Sequence, residues 1–128
     1  PRAREGQAGP SLLMEVDEDR LGTLEQGPDQ ELTVEVANGG EEALSGVSVV
    51  LQVASENTAI TEARYYRASL DELAPGESAA VRFVLDLSPL GEAETRNFSG
   101  LEPPGKIIEI RAATPSGVSA IRTAILPP

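Results

Sequence analysis

Alternation of apolar and polar positions with a period of two runs through most of this chain. Leu32, Val34 and Val36 alternate with Thr33, Glu35 and Ala37, so three apolar side chains share one face of an extended segment while Glu35 points the other way. The pattern recurs at Val47, Val49, Leu51 and Val53, at Val81, Phe83, Leu85 and Leu87, at Ile108, Ile110 and Ala112, and at Ile121, Thr123 and Ile125. Leu12, Met14 and Val16 give a shorter opening run. Each predicts a strand with one face turned to a core.

The residues between the runs specify turns. Ala74-Pro75-Gly76-Glu77 offers Pro at the second position and Gly at the third, as a type II turn requires, just before the Val81 run. Thr114-Pro115-Ser116-Gly117 separates the Ile108 and Ile121 runs by a few turn formers and predicts an antiparallel hairpin. Asn38-Gly39 resembles a tight hairpin turn, yet the next alternating run starts only near Val47, which suits a crossing between sheets.

Two stretches depart from the alternation. Residues 60–73 contain good helix formers, with Ile60, Ala63, Tyr66 or Arg67, Leu70 and Leu73 at the three- and four-residue spacings of one helical face, while Tyr65 and Tyr66 favour extended backbone; a strand followed by a turn is preferred over a short helix. Residues 88–105 hold three Gly and three Pro with little apolar pattern, which marks a long exposed loop. The expected architecture is an all-β antiparallel sandwich of about seven strands over residues 11–126, flanked by linkers at 1–10 and 127–128. Its core includes Val34, Val36, Val49, Leu51, Phe83, Leu85, Ile110 and Ile121.

Composition narrows the chemistry. The 128 residues fit one domain, apolar residues make up 40% and aromatics 3%, so the core must come from Val, Leu, Ile and Ala. A net charge of −11 argues against nucleic acid as a partner. The chain has no Cys, His or Trp, which removes disulfides, thiol and imidazole catalysis and the usual zinc ligands. Arginines outnumber the single lysine, Lys106, by nine to one, as in a GC-rich bacterial coding sequence. No apolar run reaches the length of a membrane span. The start at Pro1 rather than Met reads as a piece of a longer protein.

Several residues could carry chemistry. Glu15, Asp17, Glu18 and Asp19 form the densest acidic cluster, but without the ligand spacing of a calcium loop they read as a solvated strand end. Glu92 and Glu94 form a carboxylate pair of the type glycosidases use, without the aromatic residues that would line a sugar cleft. The serines have no G-x-S-x-G setting and no base. Asn97-Phe98-Ser99 matches a glycosylation acceptor and reads as silent in a bacterial protein. Tyr65 and Tyr66, flanked by Arg64 and Arg67, could stack on a sugar or peptide at a sheet edge, or simply sit there with their hydroxyls in water. Within the long loop Glu92, Glu94, Arg96, Phe98 and Leu101 are candidate contacts for a partner; Phe98 could instead fold back to plug the sandwich.

Residues 32–53 (LTVEVANGGEEALSGVSVVLQV), Leu73 to Ser78 (LAPGES) and residues 80–87 (AVRFVLDL) together resemble the bacterial cell-adhesion-related domains known as CARDB, and equally the related NEW3-type domains. Asn38-Gly39-Gly40, Gly46-Val47 and the L-x-P-G-E-S turn occupy the shared places, while Gly105-Lys106-Ile107-Ile108 departs from the aromatic-rich closing strand of those families. The resemblance implies an immunoglobulin-like β-sandwich that is extracellular, on the cell surface or periplasmic, and anchored through segments outside this chain. It further implies a spacer, adhesion or protein-interaction module that uses no cofactor, contacts other domains of its own polypeptide, an envelope protein or a glycan, and does not insert into a membrane. An accessory domain of a secreted glycoside hydrolase is the alternative.

Overall fold

The computed structural model describes residues 11–91 and 104–127. Within them seven strands and one helical turn follow in order: β1 (Leu12–Val16), α1 (Glu18–Leu21), β2 (Gln30–Asn38), β3 (Leu44–Ser55), β4 (Ala63–Leu73), β5 (Ser78–Leu85), β6 (Lys106–Ala113) and β7 (Ser119–Leu126). They form two antiparallel sheets, β1-β2-β5 and β4-β3-β6-β7, packed as an immunoglobulin-like all-β sandwich. Both faces turned inward supply the core: Leu32, Val34 and Val36 from β2, Val47, Val49, Leu51 and Val53 from β3, Val81, Phe83 and Leu85 from β5, and Ile108, Ile110 and Ala112 from β6 are all buried. Each such Val, Leu, Ile or Phe contributes ~1.5–3 kcal/mol by leaving water, which is why alternation alone places the strands.

The turns follow their chemistry. Gly76 has a φ of +78° and the Glu77 amide donates to the Ala74 carbonyl at 2.9 Å, closing the expected turn between β4 and β5. Gly117, with a φ of +97°, donates to the Thr114 carbonyl and closes the β6–β7 hairpin. The segment after Asn38 carries the chain from the three-stranded to the four-stranded sheet, as its length requires. Residues 60–73 hold no helix; the polar alternation of β4 wins, with Arg64, Tyr66, Ala68 and Leu70 half-buried beneath exposed Tyr65, Arg67 and Ser69.

Gly46 explains a change of phase. Leu44 and Val47 are both buried although they stand three residues apart, as are Leu73 and, in part, Leu70 opposite them. Gly46 has a φ of +66°, which lets β3 rotate by one face at that point, and a Cβ there would lie 3.2 Å from Pro115.

Ile121 requires a correction. It is 54% exposed and outside the core, and Arg122 lies on the core side of β7. Pairing with β6 sets Ile110 opposite Arg122 and Arg111 opposite Ile121, and residues opposite one another share a face. With Ile110 fixed inward, Ile121, Thr123 and Ile125 must point outward.

The two ends of the sandwich differ. At one, strands are joined by residues 39–43, 74–77 and 114–118, all short; at the other lie residues 17–29 and 56–62, together with residues 86–91 and 104–105 next to the ends of β5 and β6. Asn38 closes the short-turn end. Its side-chain amide donates to the carbonyls of Glu42 at 2.7 Å and Leu73 at 3.0 Å, and its carbonyl oxygen accepts from the Gly40 amide at 2.9 Å. Its main chain bonds Glu77 and Gly76. One buried residue thus ties β2 to the end of β4 through its side chain and to the turn before β5 through its main chain.

Candidate functional site

The long-connection end is where a functional surface could be displayed, because its loops are held by a stiff frame. Arg64, at the start of β4, fixes the first of its roots. Its guanidinium donates to the carbonyls of Asp86 (2.8 Å), Ser88 (2.7 Å) and Pro89 (2.8 Å), and stands 3.7 Å from the Asp86 carboxylate. The planar fork of arginine donors is well shaped to hold three carbonyls of one short segment. The Tyr66 hydroxyl accepts from the Asp86 amide at 2.8 Å, and Leu87 and Leu90 are buried below.

Asp86 turns its carboxylate back on the chain, accepting from the Ser88 hydroxyl at 2.6 Å and the Ser88 amide at 3.0 Å. These two bonds hold the Asp86 carboxyl below its ordinary range; the positive charges of Arg64 and Lys106 act in the same direction, and partial burial opposes them.

The second root is Pro104-Gly105-Lys106. Lys106, the sole lysine, is fully buried, and its ammonium donates to the Gln26 side-chain oxygen at 2.7 Å. Gln26 in turn donates to the carbonyls of Pro104 at 3.1 Å and Pro127 at 3.2 Å. The Glu56 amide donates to the Gly105 carbonyl at 2.8 Å, and a Cβ on Gly105 would come within 2.6 Å of the Leu126 carbonyl. Only glycine lets the backbone pass there. Lys106 was identifiable from its parity with Ile108 and Ile110; an expectation that lysines face water hides it.

The proposed contact residues Glu92, Glu94, Arg96, Phe98 and Leu101, and the Asn97-Phe98-Ser99 acceptor, lie outside the described residues. Tyr65 and Tyr66 do not act together. Tyr65 is 54% exposed on the outer sheet face, with the Arg67 guanidinium 5.7 Å from its ring centre, whereas Tyr66 points inward and is held by Asp86. The acidic cluster is also dispersed. Glu15 faces out opposite Glu35, Asp17 caps α1 by accepting from the amides of Asp19 and Arg20, and Glu18 pairs with Arg122 from β7. Among the described residues no three acidic side chains converge as a metal site would need. An Asp followed by two acidic residues is a helix-start signal, and it is the sign by which α1 could have been found.

Two open grooves flank the Arg122–Glu18 pair. One, of about 670 Å³, runs between α1 and β7 and includes Leu21, Leu24, Glu25 and Ala124; the other, of about 610 Å³, includes Met14, Val16, Thr33 and Glu35. Neither gathers a nucleophile with a base.

No family model and no curated protein matches the chain. Solved structures do. A β-glucosidase from Listeria innocua superposes with a TM-score of 0.50 at 14% identity, covering 96% of this chain and 17% of that one. Spo0M, a sporulation control protein from Bacillus subtilis, gives 0.47 at 13% identity over 94% of this chain and 49% of its own. β-Glucosidase 3B from Thermotoga neapolitana gives 0.42 at 14% identity, with 94% and 17% covered. This chain therefore spans about a sixth of the length of either glucosidase, and at such identities the likeness establishes a shared β-sandwich fold and nothing of activity.

Proposed function

We propose that this chain is a non-catalytic, CARDB-like module of a bacterial envelope protein, exported and serving as a spacer or a presenter of its long-connection end. The observation that carries the reading is how its polar groups are spent. Of the buried polar side chains described, Asn38 and Lys106 bond distant segments, while Ser55 accepts from the Asn57 amide at 3.1 Å and Thr114 contacts Ser116 at 2.8 Å within their own turns. Arg64, Tyr66 and Asp86 do the same for the root of the loop. Groups of this kind in an enzyme would be poised for substrate; here they brace the frame.

Replacing residues 92–101 with a short Gly-Ser linker tests the presenting role. Retained melting temperature with loss of binding to a cell-envelope extract supports presentation through the loop. A collapse in melting temperature assigns the loop to the frame, and no change in either leaves a spacer. Turnover of any of a panel of chromogenic glycosides or esters, lost on changing Glu92 and Glu94 to Gln, refutes the non-catalytic reading. The second reading, an accessory domain of a secreted glycosidase, draws on the Listeria innocua β-glucosidase, in which a fold of this type forms part of a larger chain. A catalytic domain encoded in the same gene would favour it.

A further inference from the structure

Among the described residues β7 is an unpaired edge of the four-stranded sheet. An open edge offers a row of free N–H and C=O groups to any extended chain, and proteins usually blunt it with charge, brevity or a covering segment. The other three edges carry such features. β1 has five residues, β4 displays Arg67, Asp71 and Glu72, and β5 displays Arg82 paired with Glu31. β7 runs for eight residues, and its outward side chains, Ser119, Ile121, Thr123 and Ile125, carry no charge. Ile121 is 54% and Ile125 63% exposed, and Ile107 of β6 extends the apolar surface beside Ile125.

The outward row has the same order in both directions: Ile, Thr, Ile. An antiparallel copy centred on Thr123 sets Ile121 against the second copy's Ile125, repeats that pair by symmetry, and sets Thr123 against its own counterpart. A twofold axis at a residue is permitted in antiparallel pairing for either class of residue pair. The inward row agrees. The same register sets the second copy's Arg122 opposite Ala124, with each Arg122 keeping the Glu18 of its own copy. The self-complementary apolar pairs single out another copy of this chain over an unrelated strand.

We propose that two copies pair through β7 about a twofold axis at Thr123, merging two four-stranded sheets into one of eight strands. This goes beyond the spacer reading and does not depend on export. With −11 on each copy, long-range repulsion opposes association, so pairing strengthens as salt is added.

The test uses the whole chain. Sedimentation or light scattering should show a dimer whose fraction rises with protein and salt. Because the chain has no Cys, Thr123→Cys places a lone thiol on the axis and mild oxidation should give a covalent dimer, while Ser69→Cys on the β4 edge should not. Ile121→Lys should abolish pairing with an unchanged circular dichroism spectrum, and adding Ile125→Glu to it should restore pairing through two symmetric ion pairs. A monomer at millimolar protein in high salt, or a dimer that survives Ile121→Lys, overturns the proposal.

Discussion

Lys106 and Gln26, eighty positions apart in the chain, meet at 2.7 Å where the long-connection end is closed. The buried ammonium stem fills space that an aliphatic residue would fill elsewhere, and its head joins a carboxamide already bonded to Pro104 and Pro127. Lys106→Ala should cost ~2–4 kcal/mol, since it opens a cavity and strips Gln26 of a charged donor. Lys106→Met, which keeps most of the volume, should cost less. Urea unfolding of the two variants gives the ordering, and equal stability of Lys106→Ala and the parent would refute the role.

Asp86 makes stability depend on acid in a defined direction. Its folded carboxyl lies below its ordinary range, so the stabilisation is complete above the unfolded value near pH 4 and is lost as pH falls through the lowered folded value. Ser88→Ala removes the largest cause of that lowering. The variant should melt below the parent at neutral pH, with the gap closing as pH drops below about 4. Calorimetry across pH checks this, and a gap that widens in acid would exclude it.

Asn38 bonds three main-chain partners through one side chain. Asn38→Ala should cost about 2–4 kcal/mol because the Leu73 carbonyl loses a buried donor and the Gly40 amide its acceptor. Asn38→Asp keeps the acceptor but turns a carboxylate toward two carbonyls, so it should be more damaging at neutral pH than in mild acid. Chemical denaturation at both pH values distinguishes the two effects.

The strands were legible because a half-buried strand writes its own period, and Val34, Val49, Leu51, Phe83, Leu85 and Ile110 are all buried where that period puts them. β7 was misphased for a physical reason. Its two isoleucines outweigh Ala120, Arg122 and Ala124 in apolarity, but the register with β6 decides which face turns inward, and register is not a property of one segment. The same parity that buries Val36 and Ile108 also buries Asn38 and Lys106, so both anchors could have been inferred by extending the alternation through a polar residue. α1 has four residues and no apolar face, leaving only its Asp17 cap as a signal. Tyr66 was separable from Tyr65 by strand alternation alone; its hydroxyl's partner, twenty residues away, was not.

Opposed ends of the fold determine how it would bear tension. β1 starts beside Asn38, at the short-turn end, and β7 finishes beside Lys106, at the other. A pull applied between Leu12 and Leu126 therefore runs along the strands and loads their hydrogen bonds in shear, all at once, instead of peeling them open in sequence. The ladder that holds β1 to β2 spans five residue pairs against eight for β6 with β7, so β1 is the element that slips first and sets the force at which the sandwich yields.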